Sequence, residues 1–362
     1  MENTKNQHRK MTTDVIIEKT IFASVMDNGF WHRWMVHGID DDFILNSKSK
    51  MITLNGWIEA LSNRALEHLN LATRLRESSD LRTAEFHYRK AGIYYNLVQW
   101  VFPEPSGSRT KWYKLCMEQF RLADSISEDK ISHYTITIRD KNYGGRVRVP
   151  KGKLSGVVIL VIPTDSTKEE FYLYEKDFAR EGFAVISFDG AGQGETLLIH
   201  GHKADIESWD QFTKGIIDFA SANFPGLPIN LFGTSSGGCW AIEASRSSLV
   251  SKTAVVSPPP KFISNIRLPD YFRERMSNML VDFDKGCLPV FDNVEEIGNI
   301  LMFHGGKDLF VNEAELIELY KRFAPEKRFI TYEEEGHCCN FKLREIRLRA
   351  SEWFRGEDIN GV

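Results

Sequence analysis

A serine between two glycines is the residue with the clearest chemical potential in this sequence. The segment Gly233–Gly237, with the sequence GTSSG, follows the apolar run Ile229–Phe232 and precedes a stretch of helical character. A G-x-S-x-G pattern between a strand and a helix is typical of a nucleophile elbow, a tight turn that exposes the serine hydroxyl. The pattern predicts that Ser235 attacks a carbonyl carbon, although five residues with two glycines also occur by chance.

A nucleophilic serine needs a histidine base and an acid that orients the histidine. One common chain order is Ser, then Asp or Glu, then His. Asp308 follows the apolar run Ile300–His304, and His337 follows Arg328–Tyr332, so both come after predicted strands in that order. The sequence therefore predicts Ser235, Asp308 and His337 as a catalytic triad. The alternatives are His304 as the base and, as the acid, Asp284, Asp292, Glu313, Glu333, Glu334 and Glu335.

Two backbone N–H groups are predicted to bind the oxyanion that such an attack creates. Ser236 directly follows the nucleophile, so its N–H is the useful group, whereas its side chain is at the wrong position of the turn. The second donor should come from the loop after Gly156–Ile162. Thr164 is the candidate there because Pro163 has no N–H.

Nothing in the sequence indicates a cofactor or a metal. The glycine-rich run Asp189–Glu195, with the sequence DGAGQGE, has the spacing of neither a dinucleotide fingerprint nor a P-loop. We expect it to form a tight turn at the floor of the active site. The cysteines have no zinc-like spacing and are interpreted as reduced thiols. They are Cys116, Cys239, Cys287, Cys338 and Cys339.

The composition, 42% hydrophobic and 27% charged, is ordinary for a soluble globular protein. The net charge is −4 with no dense Lys/Arg block, so neither nucleic acid nor an anionic membrane surface is favoured as a partner. Met1–Lys10 is polar and lacks the apolar core of a signal peptide. Val157–Ile162 is too short to span a bilayer. We therefore expect a cytoplasmic protein.

The two halves of the chain differ in their predicted secondary structure. Residues 1–128 look helical, with apolar residues at helical spacing in Ile58–Leu75, Leu81–Val101 and Thr110–Ile126. After Asp129, short strands and helices alternate, which predicts a mostly parallel sheet with helices on both faces. In such sheets active groups lie at the carboxyl ends of strands.

The first strands of the second half are predicted to form a hairpin. Tyr134–Ile138 alternates Thr and Ile as a half-buried strand does. Arg146–Val149 is its predicted partner, across a turn at Asn142–Gly145.

Four motifs together resemble one branch of the α/β-hydrolases. They are DSTKE at 165–169, DGAGQGE at 189–195, GTSSGG at 233–238 and GHCCN at 336–340. The branch contains 2,6-dihydroxypseudooxynicotine hydrolase and fungal polyketide-shortening hydrolases of pigment pathways. The fermentation-respiration switch protein family is a more distant relative. Phe86–Tyr95 is similar to part of the helical domain that caps the core in that branch.

The resemblance implies a fold, a triad and a class of reaction. The fold is an α/β-hydrolase domain at 129–362 with a helical cap domain at 1–128. The triad transfers to Ser235, Asp308 and His337. Some members cleave a carbon–carbon bond next to a ketone and others cleave esters, and a homodimer is implied.

The sequence departs from the branch at two places. Relatives often carry Gly-Gly or Gly-Leu where this chain has Pro163-Thr164. An extra carboxylate that some carbon–carbon hydrolases use has only Asp270 and Glu274 as candidates here.

Aromatic residues are dense in the helical half and bear on the substrate. Such side chains usually fill a core, but pockets in enzymes are also largely apolar. We therefore expect an extended, partly aromatic or polyketide-like carbonyl substrate that is cleaved through an acyl-enzyme. The alternatives are an acyltransferase or cyclase that uses the same acyl-enzyme, and a non-catalytic binding protein. The aromatic residues are Phe30, Trp31, Trp34, Phe43, Trp57, Tyr94, Tyr95, Trp100, Trp112 and Tyr113.

Overall fold

The computed structural model describes residues 11–261 and 269–359. Its strands are β1 (Lys130–Ile138), β2 (Lys141–Val149), β3 (Gly156–Val161), β4 (Phe183–Phe188), β5 (Ile229–Thr234), β6 (Val250–Val256), β7 (Ile300–Gly305) and β8 (Lys327–Tyr332). Its α-helices are α1 (Thr13–Met26), α2 (Asn28–Val36), α3 (Asp41–Ser47), α4 (Leu54–Glu77), α5 (Leu81–Trp100), α6 (Gly107–Ser125), α7 (Tyr172–Arg180), α8 (Gly194–Leu198), α9 (Ile206–Asn223), α10 (Ser236–Ala244), α11 (Asp270–Ser277), α12 (Glu313–Arg322) and α13 (Leu343–Arg355). Among the described residues, no helix is both long enough and apolar enough to cross a membrane.

The eight strands form one sheet in the order β1-β2-β4-β3-β5-β6-β7-β8. Strands β3 to β8 pair in parallel, and β2 is antiparallel to both of its neighbours. The predicted mostly parallel sheet is therefore confirmed. Because parallel strands end at the same edge, the loops after β3, β5, β7 and β8 lie close together there.

Helices cover both faces of the sheet, as the apolar runs of its central strands require. Alternate residues of β3 point to opposite faces, so Val157 and Ile159 join one core while Val158 and Leu160 join the other. The first core is completed by α9, α10 and α12, and the second by α7 and α13. The sheet is thus fixed on both sides, and its carboxyl edge is a rigid support for functional groups.

The predicted turn of the first hairpin is wrong. The turn consists of Arg139 and Asp140, with φ of 43° and 63°, and Asn142–Gly145 belongs to β2. The two glycines of that segment serve close packing instead. A Cβ atom on Gly145 would lie 2.1 Å from the ring of Phe188. Gly144 is likewise crowded by Glu195 of α8, so the glycines that suggested a turn are needed where β2 meets the side chains of β4 and α8.

The N-terminal helices form a separate core that rests on the carboxyl edge of the sheet. Predicted helices at 58–75, 81–101 and 110–126 correspond to α4, α5 and α6, and α5 is buried from Tyr88 to Trp100 between its neighbours. Trp34 and Trp57 are fully inaccessible, and the rings of Trp31 and Trp57 lie 5.8 Å apart. These tryptophans fill the helical core.

Candidate active site

The turn between β5 and α10 holds Ser235 in a strained conformation. Its φ of 49° and ψ of −127° lie in a region that side chains avoid. The turn is tight because both flanking glycines are crowded. A Cβ atom on Gly233 would lie 2.6 Å from the Gly237 carbonyl oxygen, and one on Gly237 would lie 2.1 Å from the Val161 carbonyl oxygen. The serine N–H donates to the Val256 carbonyl at 2.8 Å, which ties the turn to β6.

A substitution that relieves this backbone strain should raise the free energy of unfolding. A strained non-glycine residue costs about 1–3 kcal/mol, whereas the extra freedom of glycine in the unfolded chain costs about 0.5–1 kcal/mol. We expect Ser235→Gly to raise the free energy of unfolding by on the order of 1 kcal/mol relative to Ser235→Ala. Thermal and urea unfolding of the two variants measure the difference. A glycine variant no more stable than the alanine variant would contradict the strain.

Three side chains from three loops form a continuous hydrogen-bonded chain. The His337 Nε2 atom lies 2.9 Å from the Ser235 hydroxyl oxygen. The His337 Nδ1 atom lies 2.8 Å from the Asp308 Oδ2 atom. These loops follow β5, β7 and β8, so the shared edge of the sheet brings together residues that are 29 and 102 positions apart in the sequence. The arrangement is that of a nucleophile, a base and an orienting acid.

Asp308 is held in position by the backbone of its own loop. Its side chain is fully inaccessible, and its Oδ1 atom accepts hydrogen bonds from the N–H groups of Phe310 and Val311 at 2.8 and 3.0 Å. Burial raises the pKa of this carboxyl group, but the hydrogen bond and charge of His337 and the two N–H groups outweigh it. The pKa of Asp308 therefore lies below its usual value, and the group stays ionised beside the imidazole.

Cys338, like Asp308, affects the pKa of the His337 imidazole. It has φ of 65°, and its N–H donates to the Ser257 hydroxyl at 3.3 Å. Burial lowers the pKa of His337, but Cys338 and the Asp308 carboxylate raise it, to about 10. The sequence interpretation did not assign Cys338 a role, although its position directly after His337 was a usable signal.

The raised pKa predicts a pH profile. A general base must be neutral, so kcat/KM should rise with pH as His337 loses its proton. Since the pKa is raised from 6.5 to about 10, we expect the inflection above 6.5. Cys338→Ala removes one raising influence and should move the inflection to lower pH. Cys116→Ala, which removes a thiol in the helical core, should leave it in place. An inflection at or below 6.5, or one unaffected by Cys338→Ala, would contradict the assignment.

The two predicted oxyanion donors lie side by side, but one of them is engaged. The Thr164 N–H donates to the Ser236 hydroxyl at 2.8 Å, and the Thr164 hydroxyl oxygen lies 3.0 Å from the same atom. The Ser236 side chain thus contacts the loop after β3, and Ser235 is the hydroxyl beside His337. The Ser236 N–H, at the first position of α10, has no carbonyl one turn earlier to bond. In this structure the Thr164 N–H is therefore already bound to a hydroxyl acceptor.

The structure places the alternative base away from the nucleophile. His304, at the end of β7, is buried, and its Nδ1 atom lies 4.0 Å from the Asp308 Oδ2 atom. Burial lowers the pKa of His304, and its ring packs against Phe329 at a centroid distance of 6.5 Å. His337 is the histidine in contact with Ser235.

The alternative acids have other partners or face solvent. Asp284 pairs with Arg273, and the buried Glu335 accepts a hydrogen bond from the Phe341 N–H. Asp292, Glu313, Glu333 and Glu334 are exposed. Of the two candidates for an extra carboxylate, Asp270 is exposed and Glu274 is half-buried on α11.

The glycine-rich run forms a turn that is tied to a buried lysine. Asp189 is inaccessible, and its Oδ2 atom lies 2.9 Å from the Lys168 Nζ atom, which also lies 2.8 Å from Glu195. In the same turn, the Gln193 amide donates to the carbonyls of Ile162 and Pro163 at 3.1 and 2.7 Å. The run thus supports the loop after β3. Across residues 11–261 and 269–359, no group of three or more His, Cys, Asp or Glu side chains is arranged to hold a metal ion.

Exposed apolar side chains lie in the loops that carry Asp308 and His337. The ring of Phe310 lies 5.2 Å from the His337 ring and is 55% exposed, and the neighbouring Leu309 is 94% exposed. Phe341 is also exposed and contacts His32 of α2. We call Leu309, Phe310 and Phe341 the apolar rim. The sequence analysis did not identify the rim, although Leu309 and Phe310 directly follow Asp308 and Phe341 lies four residues after His337.

Comparisons with known sequences identify hydrolases as relatives. Residues 169–283 match the family described as serine aminopeptidase, S33 (Hydrolase_4). The chain is 31% identical to the hydrolase pyiE of Pyricularia grisea, over 56% of this chain and 50% of that protein. It is 33% identical to the hydrolase LUC6 of a Fusarium species, over 60% and 55%. It is 30% identical to the 20-hydroxy-prefusarin hydrolase FUS2 of Gibberella moniliformis, over 37% and 35%. The chain spans about half the length of the first curated relatives it matches.

Solved structures share the fold over most of the chain. The crystal structure of 2,6-dihydroxy-pseudo-oxynicotine hydrolase superposes with a TM-score of 0.77 at 19% identity and covers 91% of this chain and 97% of its own. Wild-type AbyA5 superposes with a TM-score of 0.65 at 17% identity and covers 95% of each chain. At these identities the likeness shows the fold, and it includes the N-terminal helices.

Proposed function

We propose that this α/β-hydrolase is a serine hydrolase with Ser235 as nucleophile, His337 as base and Asp308 as orienting acid. The observation that supports it most directly is the unbroken chain of hydrogen bonds from the serine hydroxyl to the buried carboxylate, at 2.9 and 2.8 Å. The strained turn and the helix that begins at Ser236 add to it. The division into a cap at 1–128 and a catalytic domain at 129–362 is part of this proposal.

The proposed reaction begins with attack on a carbonyl carbon. His337 Nε2 takes the Ser235 proton as the oxygen attacks, and Asp308 stabilises the imidazolium that forms. The tetrahedral intermediate collapses when the leaving group takes that proton from His337. Water, activated by the same imidazole, then hydrolyses the acyl-enzyme and regenerates the Ser235 hydroxyl.

The oxyanion is proposed to bind where the Ser236 hydroxyl now lies. A rotation of that side chain would free the Thr164 N–H, which would then point at the developing charge together with the Ser236 N–H. The positive end of α10 would add a favourable field at this point. The substrate carbonyl would thus replace a neutral hydroxyl acceptor by a charged one, which N–H donors bind more strongly.

We propose an apolar, extended carbonyl compound as the substrate, cleaved at a carbon–carbon bond of a β-diketone or at an ester. The apolar rim supports this, because exposed large apolar side chains beside a catalytic group mark a binding surface for apolar ligands. The relative from Gibberella moniliformis is named as a hydrolase of 20-hydroxy-prefusarin, which supports a metabolite as the substrate. With a β-diketone, the leaving group is an enolate whose carbon receives the proton from His337.

A fluorophosphonate probe tests the nucleophile, and a substrate panel tests the bond. We expect the probe to label the wild-type protein at Ser235, as mapped by mass spectrometry of its peptides. The panel compares bulky β-diketones with bulky esters and with acetyl esters of small alcohols. Turnover of the bulky compounds supports the proposal, whereas no labelling, or exclusive turnover of small acetyl esters, contradicts it.

A further inference from the structure

The loop that carries the proposed oxyanion donor contains an unusual aspartate. The loop after β3 runs from Pro163 to Ser166, and its Ser166 N–H bonds back to the Pro163 carbonyl at 3.2 Å. Asp165 follows Thr164 directly and has φ of 67°, in the left-handed region that most residues avoid. Such a conformation persists only where the surroundings fix it.

The surroundings that fix Asp165 come from outside the sheet. Its Oδ1 atom accepts a hydrogen bond from the Arg275 Nη2 atom of α11 at 3.0 Å, and its Oδ2 atom accepts one from the Trp100 Nε1 atom of α5 at 3.1 Å. Its backbone carbonyl accepts one from the Arg33 Nη2 atom of α2 at 3.1 Å. One residue thus receives donors from three separate helices.

The anchor is buried and charged, which makes it rigid. The Arg275 side chain is fully inaccessible and that of Asp165 is only 10% exposed. The Arg275 guanidinium also lies over the Trp100 ring, 4.1 Å from its centroid, so the two donors hold each other in place. In the glycine-rich run after β4, Gln193 donates to the Pro163 carbonyl. The loop is therefore held both by the three helices and by the glycine-rich run.

We infer that Asp165 is a positioning residue that aligns the Thr164 N–H with the oxyanion and makes this alignment depend on the N-terminal helices. The inference rests on the proposed function, because it requires Ser235 to form a tetrahedral intermediate. The peptide plane that carries the Thr164 N–H is not free to turn. Thr164 lies between Pro163, whose carbonyl is bound, and a left-handed residue whose three acceptor oxygens are all bound. The direction of the N–H is thereby set by the anchor.

Asp165→Asn is the sharpest single test. Asparagine tolerates left-handed backbone, so the variant keeps the turn while removing the charge that Arg275 binds. We expect kcat to fall by roughly 10- to 100-fold, as for a small misalignment of a reacting group. KM should stay near the wild-type value, because the loss is confined to the transition state. The rate of fluorophosphonate labelling of Ser235 should fall in parallel, since the phosphonyl oxygen occupies the same site.

Two further variants separate alignment from stability. Trp100→Phe removes one donor but keeps an aromatic ring in the helical core, and it should show the same change in kcat and labelling rate to a smaller extent. Asp177→Asn is the matched control, because Asp177 forms a comparably buried ion pair with Arg347 at 2.6 Å between α7 and α13. We expect the control to lower the melting temperature while leaving kcat and the labelling rate unchanged.

The outcomes distinguish this inference from the proposed function. Labelling of the wild type at Ser235 together with wild-type rates in Asp165→Asn and Trp100→Phe would overturn the inference alone. A loss of kcat in Asp177→Asn as large as in Asp165→Asn would also overturn it, since general destabilisation would then explain both. No labelling of the wild type would overturn the proposed function and the inference with it.

Discussion

Ser235→Ala is expected to lower kcat by roughly 10⁴-fold or more, with the folded structure and substrate affinity retained. The serine hydroxyl lies within hydrogen-bond distance of His337 Nε2. In the proposed mechanism this hydroxyl gives its proton to His337, so its loss would remove the acyl-enzyme route. Alanine adopts the same strained backbone, and the tie from its N–H to Val256 remains. The measurement is steady-state turnover of the substrate that the panel identifies, with labelling by the fluorophosphonate probe in parallel.

Ser236→Ala is the comparison that identifies the nucleophile. It removes the adjacent hydroxyl but keeps the backbone N–H at the start of α10, so its loss of kcat should be far smaller than that of Ser235→Ala. Undiminished turnover in Ser235→Ala, or equal losses in the two variants, would contradict the assignment of Ser235. A protein that binds the substrate without turnover in either form would instead be a non-catalytic member of the fold.

Sequence order alone identified the residues that the structure brings together. Ser235 and Asp308 each follow an apolar run and His337 follows the predicted strand Arg328–Tyr332, and short strands in a chain of alternating strands and helices indicate a mostly parallel sheet. Because all such strands end at one edge, three residues far apart in sequence could be placed together without any distance information. The family resemblance and the fold are confirmed by the comparisons, while the catalytic role of the three residues stays a proposal.

Features that depend on side-chain packing could not be predicted. The glycines of β2 suggested a turn because glycine is common in turns, but Gly145 is required by the ring of Phe188 on the neighbouring strand. Likewise, the sequence showed Asp165 only as part of a motif. Its anchor joins Arg33, Trp100 and Arg275, which are separated from it by 65 to 132 positions. No periodicity or spacing rule connects residues of that kind.

The environment of the aromatic residues also could not be predicted from the sequence. Their density in the N-terminal half suggested a pocket, whereas Trp34 and Trp57 are fully buried in the helical core. By contrast, Phe310, whose ring lies 5.2 Å from that of His337, is in a short loop with no dense aromatic cluster. A residue type indicates what a side chain can do, but whether it faces a core or a ligand is decided by the packing of elements distant in sequence.

Asp308→Asn is expected to lower kcat by roughly 10⁴-fold while the fold is preserved. The asparagine side-chain oxygen can still accept the N–H groups of Phe310 and Val311, which fixes the amide nitrogen towards His337. An N–H donor at that position forces the imidazole into the tautomer that carries its proton on Nε2. The ring then donates to the Ser235 hydroxyl and cannot accept its proton, so the base is lost without any change of position.

Asp284→Asn is the matched control for this substitution. Asp284 was an alternative acid, and its exposed carboxylate pairs with Arg273, so its amide should leave kcat unchanged. A large loss in Asp284→Asn with little loss in Asp308→Asn would reassign the acid and contradict the triad. Asp308→Asn should also lower the pKa of His337, because the carboxylate is one of the groups that raise it. The residual activity should therefore show its inflection at a lower pH than the wild type. Simple unfolding would lower the activity but would not shift the inflection.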